Sequence, residues 1–161
     1  MATPAESALV ACGFSQNYAV LNLDWMSILI EVIEDTDPGR DFIANCARWN
    51  EAVHRKPARP LTIFTTLYFT HHTQPELASS REAPFVKLLD TMRPHFVKDS
   101  PAVQIDSRFL VDEHDIVLQK TRWYAGAGNS LEQILQAQNI NTVIIVSREV
   151  NLCEAFLINS S

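Results

Sequence analysis

Short apolar runs of the kind that form buried strands alternate along this chain with stretches whose apolar residues recur at helical spacing. Four such runs are present, at residues 18–24, 61–69, 115–120 and 142–146. Each is too short for a typical helix and carries the β-branched and aliphatic residues of a strand covered on both faces. Strands separated by helices pair in parallel through right-handed crossovers. The alternation therefore predicts an α/β fold, a Rossmann-like doubly wound parallel sheet of about four strands in three α/β/α layers.

The first predicted helix begins at Asp37-Pro38, because Asp can cap free amides and Pro is preset for the first helical position. One face of this helix is apolar and ends before Pro57. Its predicted inner residues are Phe42, Cys46, Trp49 and Val53.

Two more helices are predicted near the other end of the chain. Asn129 caps the first of them, with Glu132 three residues on as in a capping box, and an apolar inner face follows at Leu131, Ile134 and Leu135. The apolar segment 151–158 is interpreted as a final helix.

The long connection at residues 70–113 is polar and contains four prolines, so it cannot be one regular element. Within it, a short amphipathic helix is predicted from Pro84, with its apolar face at Phe85, Leu88, Leu89 and Met92. Long irregular connections in compact domains are usually lids or binding loops. We expect one domain over residues 1–161, with an N-terminal extension at 1–17, this lid-like insertion at 70–113 and a C-terminal segment at 147–161.

Composition excludes several classes of function. The net charge is -6 and no basic cluster is evident, so we expect no nucleic-acid partner. No apolar run approaches the roughly 18 residues that span a bilayer, and no basic leader precedes an apolar stretch at the N-terminus. We therefore expect no membrane partner and a cytoplasmic location. Asp24-Trp25-Met26-Ser27 is not the glycine fingerprint of a nucleotide-binding turn, and no cofactor is expected.

Three side chains with complementary chemistry fall near the carboxyl ends of predicted strands, where open parallel sheets bind ligands. Asp24 closes the first strand, Lys120 closes the third, and Cys153 follows the fourth in the first turn of the predicted final helix. Each also has a structural interpretation: Asp24 as a turn cap, Lys120 as a surface lysine, and Cys153 as a small buried hydrophobe.

At these residues the sequence resembles the isochorismatase-like hydrolases, also called the cysteine hydrolase superfamily. The resemblance runs from about residue 18 to 146 and is most specific in Lys120-Thr-Arg-Trp-Tyr-Ala-Gly-Ala-Gly-Asn-Ser-Leu131. It implies a triad of Asp24 as general base, Lys120 as electrostatic partner and Cys153 as nucleophile. The implied reaction is hydrolysis of a small-molecule amide or related C–N bond through a thioester, with the amides of Leu152 and Cys153 as oxyanion hole.

The resemblance also implies a substrate pocket lined by Phe69, Trp123 and Tyr124, with His71 or His72 in contact with substrate; alternatively the aromatic residues pad the core and lid. Metal-dependent members use an Asp-x-His pair and a further His. No Asp lies near His71, so no metal site is expected.

Family members continue beyond the nucleophile with further strands that this sequence does not supply before Ser161. We therefore expect a truncated or divergent C-terminal end, with residues 143–146 on an open sheet edge that could pair with another chain in a homo-oligomer. The alternative function is that of a catalytically inactive member acting as a binding protein.

Overall fold

Parallel strand pairing organises the protein. The computed structural model of the chain describes residues 17–80, 90, 92–147 and 154–157. Five strands form a single sheet over these residues: β1 (Tyr18–Leu23), β2 (Leu61–Leu67), β3 (Ile116–Lys120), β4 (Thr142–Ser147) and β5 (Glu154–Leu157). Their order is β3-β2-β1-β4-β5, and β1 to β4 are all parallel. This confirms the predicted α/β class and its four parallel strands.

Helices cover both faces of the sheet. The described helices are α1 (Ser27–Glu34), α2 (Asp37–His54) and α3 (Leu131–Ala137), with short 3-10 helices at Pro75–Ser80, Arg93–His95 and Pro101–Val103. On one face Val20 and Phe64 pack with Ile30 of α1 and Ile43 of α2. The other face packs against α3; its buried residues include Ala19, Leu21, Ile63, Leu131 and Leu135. Burial on both faces explains why the strands are almost uniformly apolar.

The residues between β1 and α2 form α1, which the sequence patterns did not predict. Trp25, Met26 and Ile30 are all buried. The apolar sequence of α1 therefore continues that of β1, and no separate helical stripe can be recognised. Continuous apolar sequence does not distinguish a buried strand from a buried helix.

The start of α2 differs from the prediction by one residue. Thr36, not Asp37, is the N-cap, since its Oγ1 accepts a hydrogen bond from the Gly39 amide at 3.1 Å. Asp37 and Pro38 form the first turn. Gly39 is required there because a Cβ atom would lie 1.7 Å from the Ile33 carbonyl oxygen, which would force α1 and α2 apart.

The buried face of α2 is also rotated from the predicted one. Its buried residues are Gly39, Ile43, Cys46, Asn50 and Val53. Trp49, predicted to face inward, is 38% exposed, and Phe42 is only partly buried. The prediction of Trp49 as a core residue is wrong because Asn50 takes the inward position and its Oδ1 accepts the Leu110 amide at 2.7 Å.

The predicted final helix over 151–158 is wrong for the residues that are described. Glu154–Leu157 is a strand that pairs antiparallel with β4, from Ile145↔Glu154 to Thr142↔Leu157. This pairing covers residues 142–145 of β4, so the open edge expected at residues 143–146 is covered except at Val146. The sheet therefore has a fifth strand where the sequence predicted about four.

The predicted helix from Pro84 falls largely on residues 84–89 and 91, which lie outside the described part of the chain. Met92, from its predicted apolar face, is partly buried against the cluster that contains Met26 and Phe96. In the part of the chain that the structure describes, no helix combines the length and apolarity needed to cross a bilayer.

An ion-pair cluster fastens the long connection to Trp25, which precedes α1, and to Glu34 at the end of α1. The Asp106 carboxylate accepts Arg108 Nε at 2.7 Å, and Arg108 Nη1 lies 3.0 Å from Glu34 Oε1. The Asp106 amide donates to the Trp25 carbonyl at 2.8 Å. The hydrogen bond from the Arg108 guanidinium holds the pKa of Asp106 below its ordinary value, although burial acts in the opposite direction.

The lowered pKa of Asp106 gives a pH-dependent contribution to stability. This contribution is complete above the unfolded value of about 3.9 and is lost as the pH falls through the lower folded-state pKa. We expect Asp106→Asn to lower the free energy of unfolding by about 1–2 kcal/mol at pH 7. In urea titrations the difference in the free energy of unfolding between the variant and the wild type should disappear as the pH falls below about 4. The exposed Asp41→Asn is the control, and a gap that stays constant with pH would contradict the assignment.

A second buried network lies at the amino edge of β2 and β3. His54 Nε2 is 2.9 Å from Asp115 Oδ2, and His54 Nδ1 is 2.7 Å from the Asn50 carbonyl. Arg59 donates to Asp112 at 2.6 Å and also bonds Asp115, whose side chain is fully buried. Burial has the largest single effect on the pKa of Arg59 and lowers it. Hydrogen bonds and charges from Asp112 and Asp115 together outweigh burial, so the pKa of Arg59 is raised.

Removing Asp115 leaves the buried His54 Nε2 without its carboxylate partner and leaves Arg59 with Asp112 alone. We expect Asp115→Ala to lower the free energy of unfolding by about 2–3 kcal/mol. Glu51→Ala, which removes the exposed Glu51–Arg55 pair of α2, should cost less than about 0.5 kcal/mol. Chemical denaturation of both variants measures the difference; similar losses would show that the network contributes no more than a surface pair.

Candidate functional site

The first and third strands end in an ion pair at the carboxyl edge of the sheet. Lys120 Nζ lies 2.6 Å from Asp24 Oδ2. The Lys120 side chain is 3% exposed and that of Asp24 is 22% exposed, so the pair is largely shielded from solvent. The two residues come together because β1 and β3 both pair in parallel with β2, in a register that aligns Leu23 with Thr65 and Leu67 with Lys120.

Thr65 of β2 joins this pair from between the two strands. Its Oγ1 donates to Asp24 Oδ1 at 2.9 Å and accepts the Asp24 amide at 3.2 Å. Asp24 has a φ of 59°, the left-handed region that Asp adopts more readily than most residues. The carboxylate therefore has one oxygen bonded to a hydroxyl and the other to an ammonium group.

A loop after β3 holds the ammonium group from the other side. Lys120 Nζ donates to the Trp123 carbonyl at 3.1 Å. Asn129 closes this loop, because its Nδ2 donates to the carbonyls of Gln119 and Ala125 and its Oδ1 accepts the Leu131 amide at 3.0 Å. The prediction that Asn129 caps the following helix agrees with this bond, although the N-cap position itself is Ser130.

The residues predicted to line a pocket occupy different environments. Phe69 is 1% exposed and packs with Met26, Leu77 and Phe96, which corresponds to the alternative interpretation as core. Trp123 and Tyr124 are 47% and 58% exposed on the loop that holds Lys120.

Tyr124 is tied to α3. Its hydroxyl donates to Glu132, and this bond raises the pKa of Tyr124. The Tyr124 ring also lies over Gly126, where a Cβ atom would be 2.9 Å from Cε1. The glycine therefore provides room for the ring.

His71 and His72 are exposed and stack on each other, with ring centroids 4.4 Å apart. His71 Nδ1 is 2.7 Å from Thr73 Oγ1. Among the described residues, the group of three ligand-type side chains within metal-binding distance is His54, Asp112 and Asp115, not a group around His71. Arg59 already bonds both carboxylates there, so a bound cation would face a guanidinium group.

Cys153 and Leu152, the predicted nucleophile and oxyanion-hole residues, lie outside the described residues. The strands on either side of them are described. β4 ends at Ser147, paired with Leu23 next to Asp24, and β5 begins at Glu154, paired with Ile145. The end of β4 and the start of β5 both lie at the carboxyl end of β4.

Sequence patterns did not single out Thr65 or the network around His54. Thr65 lies in a β-branched run where threonine is a common strand residue. Its one available signal is a hydroxyl in a strand predicted to be buried on both faces, which requires a buried hydrogen-bond partner. His54 and Asp115 are 61 positions apart, and only the fold brings them together.

The family model described as isochorismatase domain matches residues 18–154. The chain belongs to the isochorismatase family. The match includes both members of the ion pair, Asp24 and Lys120, as well as Cys153. No curated protein sequence matches the chain.

Solved structures that share this fold include an amidase, a cysteine hydrolase and a pyrazinamidase. N-carbamoylsarcosine amidase from Thermoplasma acidophilum is 17% identical with a TM-score of 0.60, over 82% of this chain and 68% of the amidase. A cysteine hydrolase from Pseudomonas syringae pv. phaseolicola 1448A is 14% identical with a TM-score of 0.56, over 85% of this chain and 62% of that one. Pyrazinamidase of Pyrococcus horikoshii, solved with zinc, is 18% identical with a TM-score of 0.56, over 81% and 70%.

The TM-scores show a shared fold, and at these low identities the likeness shows the fold alone. The chain spans less than two thirds of the Pseudomonas hydrolase and slightly more of the other two proteins. Structural relatives thus include amidases, and one of them binds zinc.

The ion pair at the site should contribute measurably to stability. We expect Lys120→Met to lower the free energy of unfolding by about 2–3 kcal/mol, because it leaves the Asp24 carboxylate without its cation. Lys98→Met is the matched control, since Lys98 is exposed and its change should cost within about 0.5 kcal/mol. Urea denaturation at pH 7 measures both; equal losses would mean that Asp24 and Lys120 are not coupled in solution.

Proposed function

We propose that the protein is a hydrolase that cleaves an amide or related C–N bond of a small-molecule substrate, with Cys153 as nucleophile, Asp24 as general base and Lys120 as electrostatic partner. The observation that carries this proposal is the shielded Asp24–Lys120 pair, 2.6 Å apart at the carboxyl edge of the sheet. A carboxylate and an ammonium group at this edge match the Asp and Lys of the cysteine hydrolases that the sequence resembles. The amidase among the structural relatives supports the bond class.

The proposed reaction has two steps that balance without a cofactor. Asp24 takes the proton of the Cys153 thiol, and the thiolate sulfur attacks the substrate carbonyl carbon. The C–N bond breaks, the amine leaves with the proton from Asp24, and a thioester remains. A water molecule, deprotonated by Asp24, then hydrolyses the thioester and restores the thiol. The amides of Leu152 and Cys153 would bind the oxyanion in both steps.

Lys120 supplies a fixed positive charge in this scheme. Its ammonium group is held by Asp24 Oδ2 and the Trp123 carbonyl, which accounts for two of its three donor hydrogens among the described residues. A cation in a poorly solvated site stabilises a nearby thiolate more strongly than it would in water. The position of β4 supports the participation of Cys153. β4 ends at Ser147, which pairs with Leu23 immediately before Asp24, and Cys153 follows Ser147 by six positions in the sequence.

The test is alkylation of Cys153 by iodoacetamide as a function of pH, quantified by peptide mass spectrometry. A catalytic thiol should have a midpoint well below about 8.5. Lys120→Met removes a positive charge and should raise the midpoint, whereas Asp24→Asn removes a negative charge and should lower it. Cys46, which is buried in the core, is an internal control whose labelling should not follow these changes.

An ordinary midpoint for Cys153 that neither variant shifts would overturn the proposal. That outcome would favour the alternative of an inactive family member. Opposite shifts in the two variants would show that Asp24, Lys120 and Cys153 act as one site.

A further inference from the structure

We infer that Thr65 is a positioning residue that sets the orientation of the Asp24 carboxylate toward Lys120. The catalytic meaning of this inference rests on the proposed function. Thr65 is fully buried in β2, at the position paired with Leu23, immediately before Asp24.

The Thr65 hydroxyl makes two bonds to the same residue. It accepts the Asp24 amide at 3.2 Å and donates its single hydrogen to Asp24 Oδ1 at 2.9 Å. One bond fixes the backbone of Asp24 and the other fixes its side chain. With Oδ1 held in this way, Oδ2 is directed to Lys120 Nζ.

Asp24 needs such support because regular strand geometry stops before it. β1 ends at Leu23, and the φ of 59° at Asp24 turns the backbone away from the extended conformation. Left-handed backbone in a residue other than glycine persists where the surroundings hold it. The Thr65 hydroxyl takes the amide hydrogen that the strand ladder would otherwise pair.

Lys120 is anchored separately, through the Trp123 carbonyl at 3.1 Å. Loss of the Thr65 hydroxyl should therefore release the carboxylate end of the ion pair and leave the ammonium end in place. This separates a positioning role from a general effect on packing.

Thr66 provides a matched control from the next position of the same strand. It is also buried, and its hydroxyl donates to the Val103 carbonyl, away from Asp24. Thr65→Val and Thr66→Val each replace a buried hydroxyl by a methyl group. Thr65→Ser keeps the hydroxyl and removes the methyl group.

The decisive experiment is a double-mutant cycle between Asp24→Asn and Lys120→Met, measured by urea denaturation of the full chain. The coupling between the two residues should fall by at least half in the Thr65→Val background. It should stay unchanged with Thr66→Val and be largely restored with Thr65→Ser. Equal coupling in the Thr65→Val and wild-type backgrounds would overturn the inference.

A second readout connects Thr65 to the proposed chemistry. The pH profile of Cys153 alkylation should shift in Thr65→Val in the same direction as in Asp24→Asn, and return with Thr65→Ser. If Asp24→Asn leaves the profile unchanged, the proposed function fails while the coupling cycle still decides the role of Thr65. If Asp24→Asn shifts the profile and Thr65→Val does not, Thr65 has no positioning role in the reaction.

Discussion

Parallel pairing of β1, β2 and β3 is the constraint on which the site depends. It brings Asp24, Thr65 and Lys120 to one edge of the sheet, although Asp24 and Thr65 alone are separated by 41 positions. A shift of one residue in either ladder would move Thr65 or Lys120 to the opposite face of the sheet, because side chains alternate along a strand. The registers of Leu23 with Thr65 and of Leu67 with Lys120 are therefore requirements of the ion pair.

Polar groups are buried at both ends of β3. Asp115 precedes the strand and bonds His54 and Arg59 at the amino edge, while Lys120 ends the strand and bonds Asp24 at the carboxyl edge. Both networks take their partners from other elements of the fold. Buried charges tolerate little displacement, because an ion that loses its partner inside a protein is left with a desolvation penalty that no ion pair offsets. The strand that carries the proposed catalytic lysine is thus fixed in register from two sides.

Local patterns predicted most of the architecture and part of the site. Strand positions, the parallel sheet and the two ionisable residues at its carboxyl edge followed from apolar runs and the residues that end them. The patterns failed where tertiary contacts decide. α1 looks like a continuation of apolar sequence, and the face of α2 turns because Asn50 bonds the Leu110 amide. Residues 154–157 pair with β4 because an open strand edge was available. No role could be assigned to Thr65 from the sequence, because its hydrogen-bond partner Asp24 follows a different strand, β1.

The burial of β3 is the reverse of what its composition suggests. Val117 is 46% exposed, and Lys120 is the only buried residue of the strand. Ile116 and Leu118 are partly buried against the core cluster that includes α3, so less apolar area is removed from water along β3 than along β1 or β2. Val117, the exposed aliphatic position of β3, is therefore open to polar exchange during evolution or engineering, and the least replaceable residues of this edge are the charged ones that a hydropathy profile would assign to the surface.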